Sequence, residues 1–377
     1  MTTLSTHSTH STHSTHSTHS AAGVYDTTPS LNDYSGATAD VLLTEALAST
    51  RAEVRKNMSL KSAVADWPAA DKLPLLEDPA TLARCDANVR GHLCEFELIS
   101  RSWFRCPALD DGDQAEMSFT ADQPNGTLGM KPLVTMRRPS KAVFERQFEL
   151  VVSRQAEGDL DPRRAEVVLQ VLPHLAFFSA IVNLQPFRHR ATLELIDAAL
   201  QFVMLAVMRF KYALGCPRPV EYSPELQPML LTPGHPSLPM GHGAEAYMMA
   251  AVFQRLLRQE DGSVTATLLS RLAHRIGDNR VISGVHFPVD LIAGRLVGQA
   301  VADCFLAQCC GGSWSHWEFN VSKPIYPASQ ASADVALDEL DGCKRRATFH
   351  QEGPSSEILA QMWKEAAAEW ADAKFNR

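Results

Sequence analysis

Three short segments between Lys211 and Asp290 decide what this chain can fold into. KYALGCPRP (211–219), HPSLPMGH (235–242) and NRVISGVHFPVD (279–290) stand where apolar, helix-periodic stretches begin or end, and each sets charge or imidazole beside glycine or proline. Together they supply the permanent cations Lys211, Arg218 and Arg280, the histidines His242 and His286, and the carboxylate Asp290. That set suits a tetrahedral oxyanion, gripped by cations and worked on by acid/base or nucleophilic imidazole. A fold that uses it must gather side chains from several helix ends into one pocket.

The pattern around these segments is mainly α. Periodic apolar positions mark helices at 139–156, 161–182, 190–214, 242–259, 263–276 and 288–309, with an amphipathic one near 38–55. Pro162 and Pro288 fit first helical turns. Ser355 or Ser356 can cap a last amphipathic helix that runs to about Lys374, with Trp363 and Trp370 facing the same way. The region 66–136 is broken by Pro, Gly and Asp and reads as loops with short helices or strands, and 311–353 is punctuated by Gly, Ser and Pro. The expectation is a helical bundle around one core. It divides into a disordered Ser-Thr-His repeat tail at 1–36, a helical domain at 37–310 with its motif core at 139–309, and a C-terminal extension at 311–377 whose final helix packs on the domain.

A net charge of −8 without a basic stripe argues against nucleic acid as a partner. The eight cysteines show no CxxC pair or zinc spacing, and the vicinal Cys309-Cys310 pair reads as reduced thiols in a helix. The N-terminus lacks the apolar core of a secretory signal, so a cytoplasmic location is expected. No transmembrane span is expected either: 167–187 contains Gln170, Pro173, His174, Asn183, Gln185 and Pro186, and 191–210 carries Glu194, Asp197 and Arg209. The histidines at 7, 10, 13, 16 and 19 are compositional evidence only. Small molecules are the expected partners, and a homo-oligomer is left open.

Lys211 and Arg218 stand two helical turns apart where a helix ends, and Gly215, Pro217 and Pro219 make that end irregular enough to turn the guanidinium back beside the ammonium. A planar fork and a point charge suit phosphate or a similar anion, although cations at a helix C-terminus also complement its dipole with no ligand at all. Gly241-His242 enters a helix, where glycine allows close approach and unpaired N–H groups meet an anion. His242 either exchanges protons there or is a plain loop residue capping the helix. Pro288 sets His286 just before a helix and Asp290 in its first turn, so that Asp290 can hold one imidazole nitrogen and leave the other for a reacting centre. The plainer alternative has Asp290 serving the helix dipole and Arg280 paired with Asp278.

In this order the segments resemble the signature of the phosphatidic acid phosphatase type 2/vanadium-dependent haloperoxidase superfamily: Lys-x6-Arg-Pro, then Pro-Ser-Gly-His, then Ser-Arg-x5-His-x3-Asp. The matching residues are Lys211, Arg218 and Pro219, then Gly241 and His242, then Arg280, His286 and Asp290. The resemblance covers 211–290 closely and the helices of 139–309 in general character. It implies a helical bundle of the acid phosphatase/vanadium haloperoxidase type. By the same resemblance, Lys211, Arg218, Arg280 and the Gly241 N–H would bind the oxyanion, and His286 would attack phosphorus or serve as axial vanadium ligand. Asp290 would orient His286, and His242 would be the acid/base. Two positions depart from the pattern. Met240 stands where the family has Ser, and a thioether cannot donate; one lost hydrogen bond to a charged group costs roughly 1.5–3 kcal/mol. Asn279 replaces the Ser before Arg280, a gentler change because an amide still donates.

Two activities follow from the resemblance. A haloperoxidase would hold vanadate as cofactor and use hydrogen peroxide to oxidise halide. A soluble phosphatase would need no cofactor and would hydrolyse phosphate monoesters through a phosphohistidine, with His242 protonating the leaving alcohol. His235, seven residues before His242, resembles the bromoperoxidase form of the motif and would sit near a halide; a plain loop residue is the other reading. The short separations between motifs resemble those of bacterial acid phosphatases. The balance falls on the haloperoxidase-like branch. A third reading takes Met240 as the mark of a decayed site that only binds anions or partners.

Overall fold

The computed structural model describes residues 41–56, 78–107, 113–122, 128–156, 161–171, 174–321 and 333–371, and the Ser-Thr-His repeats lie outside them. Helices α1 (Val41–Val54), α2 (Ala87–Ile99), α3 (Lys141–Ala156), α4 (Asp161–Leu169), α5 (Leu175–Val182), α6 (Arg190–Leu214), α7 (Gly241–Leu256), α8 (Val264–Ile282), α9 (Pro288–Cys310) and α10 (Glu357–Ala368) make the protein mainly α. Strands β1 (Ser102–Arg105), β2 (Gln114–Asp122), β3 (Leu128–Arg137), β4 (Gly312–Phe319) and β5 (Cys343–Gln351) form one five-stranded sheet in that order.

α6 is the pivot. It is apolar on most of its faces and packs against α2, α7, α9 and α10, as a helix without a polar side must. By length and composition the segment Arg190–Glu221 is apolar enough to cross a membrane, yet 67% of its most apolar window is buried inside the protein. Its first N–H groups receive no local cap. Glu369, just past α10, accepts instead from the Ala191 and Thr192 backbones at 2.8 and 2.9 Å. The Thr192 hydroxyl accepts from Trp370 Nε1 at 2.8 Å, and the Trp370 ring stacks on His189. Trp370 is buried and Trp363 half-buried.

α7 and α9 cross so closely that side chains have to be missing at the contact. A Cβ on Gly294 would lie 2.5 Å from the Met240 carbonyl oxygen, and one on Gly298 would lie 2.4 Å from that of Ala244. The start of α7 is thereby pinned onto the first turns of α9, and the Met240 N–H donates to the Asp290 carbonyl at 2.9 Å.

The punctuated regions hold more regular structure than their composition suggests. Residues 66–136 contain α2 and the antiparallel meander β1–β2–β3, and 311–353 contain β4 and β5. β4 runs parallel beside β3, with Val134 opposite Trp317 and Met136 opposite Phe319. Buried Phe119, Val134, Met136, Trp314 and Phe319 line the sheet, which packs against α6 and α9. Local pattern reports a half-buried strand poorly, because strand preference depends on cross-strand neighbours that are distant in sequence.

Three helix expectations need correction. The helix read over 161–182 is two, α4 ending at Leu169 and α5 starting at Leu175, as a proline without an N–H at 173 requires. α8 runs on to Ile282, so that Arg280 rides on its last turn. In α1, positions 45–54 are all exposed, so this helix shows no buried face there.

Candidate functional site

α6 ends at Gly215 in the left-handed conformation (φ 56°), and the chain turns through Pro217 and Pro219. The 235–240 loop closes on that turn: the Ser237 N–H donates to Cys216 O at 3.0 Å and the Ser237 hydroxyl to Pro217 O at 2.7 Å. Lys211 Nζ reaches the same loop, donating to Pro236 O at 2.9 Å and Ser237 O at 2.7 Å. The Arg218 fork spans all three segments. Nε donates to His235 O at 3.0 Å, Nη2 to His235 Nδ1 at 3.0 Å, and Nη1 to Val285 O at 2.7 Å and His286 Nε2 at 2.9 Å.

His286 precedes Phe287, the N-cap of α9. Its Nδ1 lies 3.0 Å from Asp290 Oδ2, which also accepts the Phe287 N–H at 2.9 Å. With a carboxylate on one nitrogen and a guanidinium donor on the other, the neutral ring carries its proton on Nδ1 and presents a lone pair at Nε2. Asp278 pairs with Arg154 and Arg163, so it is not the partner of Arg280.

All of these charges are buried: Lys211 is 1% exposed, Arg218 2%, Arg280 1% and Asp290 0%. Burial draws the Arg218 and Arg280 guanidinium groups down to about 10. Burial, followed by the charge of Arg218, pushes the Lys211 ammonium well below its ordinary value. Burial lifts the Asp290 carboxyl to about 6, against the pull of the Phe287 N–H, Lys211 and Arg218. Buried charges are stable when paired, and here the cations outnumber the carboxylate that holds His286.

Arg280 Nη2 donates to Val167 O at 2.6 Å, and its Nε is buried with no hydrogen-bond partner among the described residues. The N-terminus of α9 is served by Asp290 and by Gln147 Oε1, which accepts the Val289 N–H at 2.9 Å. That of α7, beginning at Gly241, has no side-chain cap. A tetrahedral oxyanion, phosphate or vanadate, fits this donor set: excess buried cations, an orphaned guanidinium N–H, an uncapped helix start and one imidazole lone pair.

His242 lies in the first turn of α7, its ring 4.7 Å from that of His174 between centroids. The backbone of Gln170 lies near both rings and favours their charged forms against burial, and among the described residues the Nε2 of each is buried without a partner. Glu245, one turn further along, is fully buried, with Oε2 3.7 Å from His174 Nδ1. Burial pushes the Glu245 carboxyl up to about 8 and the His174 imidazole down to about 3. It also holds His242 well below the ordinary imidazole range, with His174, Arg280 and Lys211 adding to the effect. Burial does the same to His286, where Arg218, Lys211, His242 and His235 contribute in turn. Lys211 acts on both imidazoles, and the charge of His242 acts on His286.

Lys211, Arg218, His235, Gly241, His242, Arg280, His286 and Asp290 thus lie where the ends of α6, α7, α8 and α9 meet. Met240 is fully buried there, and its Sδ lies 3.5 Å from the position of a Cβ built on Gly243, close to Leu291. The thioether packs between α7 and α9. Asn279 corrects an expectation: its amide donates to Gln170 Oε1 at 2.7 Å and Glu166 Oε2 at 3.1 Å, so its donors are committed to the α4 side. His174 and Glu245 escaped the reading of the sequence. Their signals were a histidine beside a proline in an uncharged run, and a lone carboxylate one turn after His242 on an otherwise apolar helix.

Fold and site define a helical protein in which three buried cations and two buried imidazoles gather at the ends of four helices. The family model described as PAP2 superfamily matches residues 195–309, from within α6 to the end of α9. No curated protein matches the chain. Among solved structures it is similar to the first bacterial vanadium-dependent iodoperoxidase, at 14% identity and a TM-score of 0.34, over 42% of this chain and 47% of that one. The match thus spans about half of that protein's length.

Proposed function

We propose that this chain is a haloperoxidase-like enzyme of the PAP2 superfamily, which binds vanadate against His286 and uses hydrogen peroxide to oxidise halide. The observation that carries the preference is the state of His242. Among the described residues its Nε2 is buried and unpartnered, so the neutral ring offers an open lone pair there. Burial and the nearby cations lower its basicity, and the negative charge of a bound oxyanion would restore it, so that this nitrogen would take the proton that peroxide binding releases. A phosphatase needs an acid at this point to protonate its leaving alcohol.

Lys211, Arg218 and Arg280 would neutralise the oxyanion, with the Gly241 N–H at the start of α7. His286 would supply the Nε2 ligand while Asp290 holds its proton on Nδ1. Vanadate, when bound, supplies Lewis-acid activation of peroxide. His242 Nε2 would accept the proton that peroxide releases. His235, held on the outer arm of Arg218, would stand at the edge where halide arrives.

One preparation tests this. Orthovanadate added to the protein with peroxide and bromide should produce bromination of a dye, and His286→Ala should abolish it. Steady p-nitrophenyl phosphate hydrolysis without bromination would assign the phosphatase instead. Silence in both assays, unchanged by His286→Ala, would leave an anion-binding protein.

A further inference from the structure

Behind His242 lie His174 and Glu245, two buried groups that the oxyanion chemistry leaves unused. His174, His242 and Glu245 are 3%, 4% and 0% exposed, and one ligand atom from each lies within 4.8 Å of the others. Among the described residues, four of their polar atoms, both Nε2 nitrogens and both Glu245 carboxylate oxygens, are buried with no hydrogen-bond partner. Leaving several such atoms unsatisfied in one spot is costly, so a ligand that joins them has a favourable starting point.

We propose that His174, His242 and Glu245 form a buried site for a divalent transition metal, and that the bound ion withdraws His242 from proton transfer. Two imidazoles and a carboxylate are a zinc donor set, with a fourth position left open. His242 and Glu245 stand three residues apart on α7 and share a face, and His174 comes from the segment just before α5. Donor atoms around a tetrahedral zinc are spaced by roughly 3–4 Å, given ligand distances near 2 Å. Rotation of the Glu245 side chain would close the remaining gap. Lys211 and Arg280 lie close enough to oppose a cation. The site therefore needs its carboxylate, and a metal that binds imidazole strongly rather than magnesium or calcium. Binding follows from geometry alone. Inhibition rests on the base role proposed for His242, since one lone pair cannot serve both a metal and a proton.

The test uses the full chain with His7, His10, His13, His16 and His19 changed to serine, so that the repeat binds nothing. Zinc titration by calorimetry and metal content after dialysis should give one equivalent per chain. Affinity should fall by roughly tenfold or more in Glu245→Gln and in His174→Gln, each first shown to be folded by circular dichroism, and stay unchanged in His92→Ala. Cobalt should give the intense visible bands of a low-coordinate buried site, a readout that needs no variant. No retained zinc and no cobalt bands, or equal binding by all the variants, would overturn the proposal. One bound zinc without loss of brominating or phosphatase activity would keep the site and overturn the base role of His242.

Discussion

Arg218 Nη1 donates to His286 Nε2 at 2.9 Å, so the cation and the lone pair proposed to grip one anion already grip each other. The contact keeps two groups satisfied in a pocket where neither can reach water. An arriving oxyanion would exchange it for two new contacts, one to each partner. The exchange would be favourable because the anion brings the charge that Lys211, Arg218 and Arg280 lack.

Arg218→Lys keeps the charge but loses the fork, and an ammonium cannot span His235, Val285 and His286 together. Affinity for orthovanadate or phosphate should fall about 10- to 100-fold, in line with roughly 1.5–3 kcal/mol for a hydrogen bond to a charged group. Calorimetry measures it. Unchanged affinity would remove Arg218 from the anion site.

Met240→Ser should move stability and affinity in opposite directions. A serine cap on α7 gains about 1 kcal/mol. Deleting a fully buried methionine costs about 2–5 kcal/mol, so the melting temperature should drop. The new hydroxyl beside the Gly241 N–H should tighten oxyanion binding. Equal or weaker binding by calorimetry would show that position 240 does not face the anion.

Activity should fall as pH drops through about 6, where Asp290 gains a proton and releases the Nδ1–H of His286. The stability effect has the other sign. A carboxyl raised above its ordinary value of about 3.9 binds its proton more tightly when folded. Asp290 therefore destabilises the fold increasingly as pH rises from about 4 to 6, by at most about 3 kcal/mol. Asp290→Asn should erase the activity limb near pH 6, and its stability relative to wild type should improve between pH 4 and 7. Kinetics and denaturant titration at both pH values read the two effects, and a limb that survives the substitution would assign it to another group.

Gly298→Ala should destabilise the protein by about 1–3 kcal/mol, because the new methyl would meet Ala244 O at 2.4 Å and drive α9 off α7. Gly91→Ala in α2, where nothing lies within 4 Å, should instead stabilise by about 0.5–1 kcal/mol. Denaturation curves compare the two. Equal effects would mean that the helix crossing is looser than the backbone indicates.

Much of the site was legible because its geometry is local. Gly215 and Pro217 turn the chain back after α6, Pro288 starts α9, and Asp290 reaches His286 within one helical turn. The break between α4 and α5 was not, although Pro173 announced it, because the helical pattern resumes on either side. That break sets Gln170 and His174 against His242, and no spacing rule connects them.

The sequence by itself determined most of the helices and the order in which cations, imidazoles and carboxylate appear, since each depends on residues within a few turns. Tertiary structure alone decided that β4 lies beside β3, that Glu369 caps α6, and that Glu245 and His174 stand behind His242. Periodicity tells a chain which of its faces must leave water, but not which distant surface will cover it.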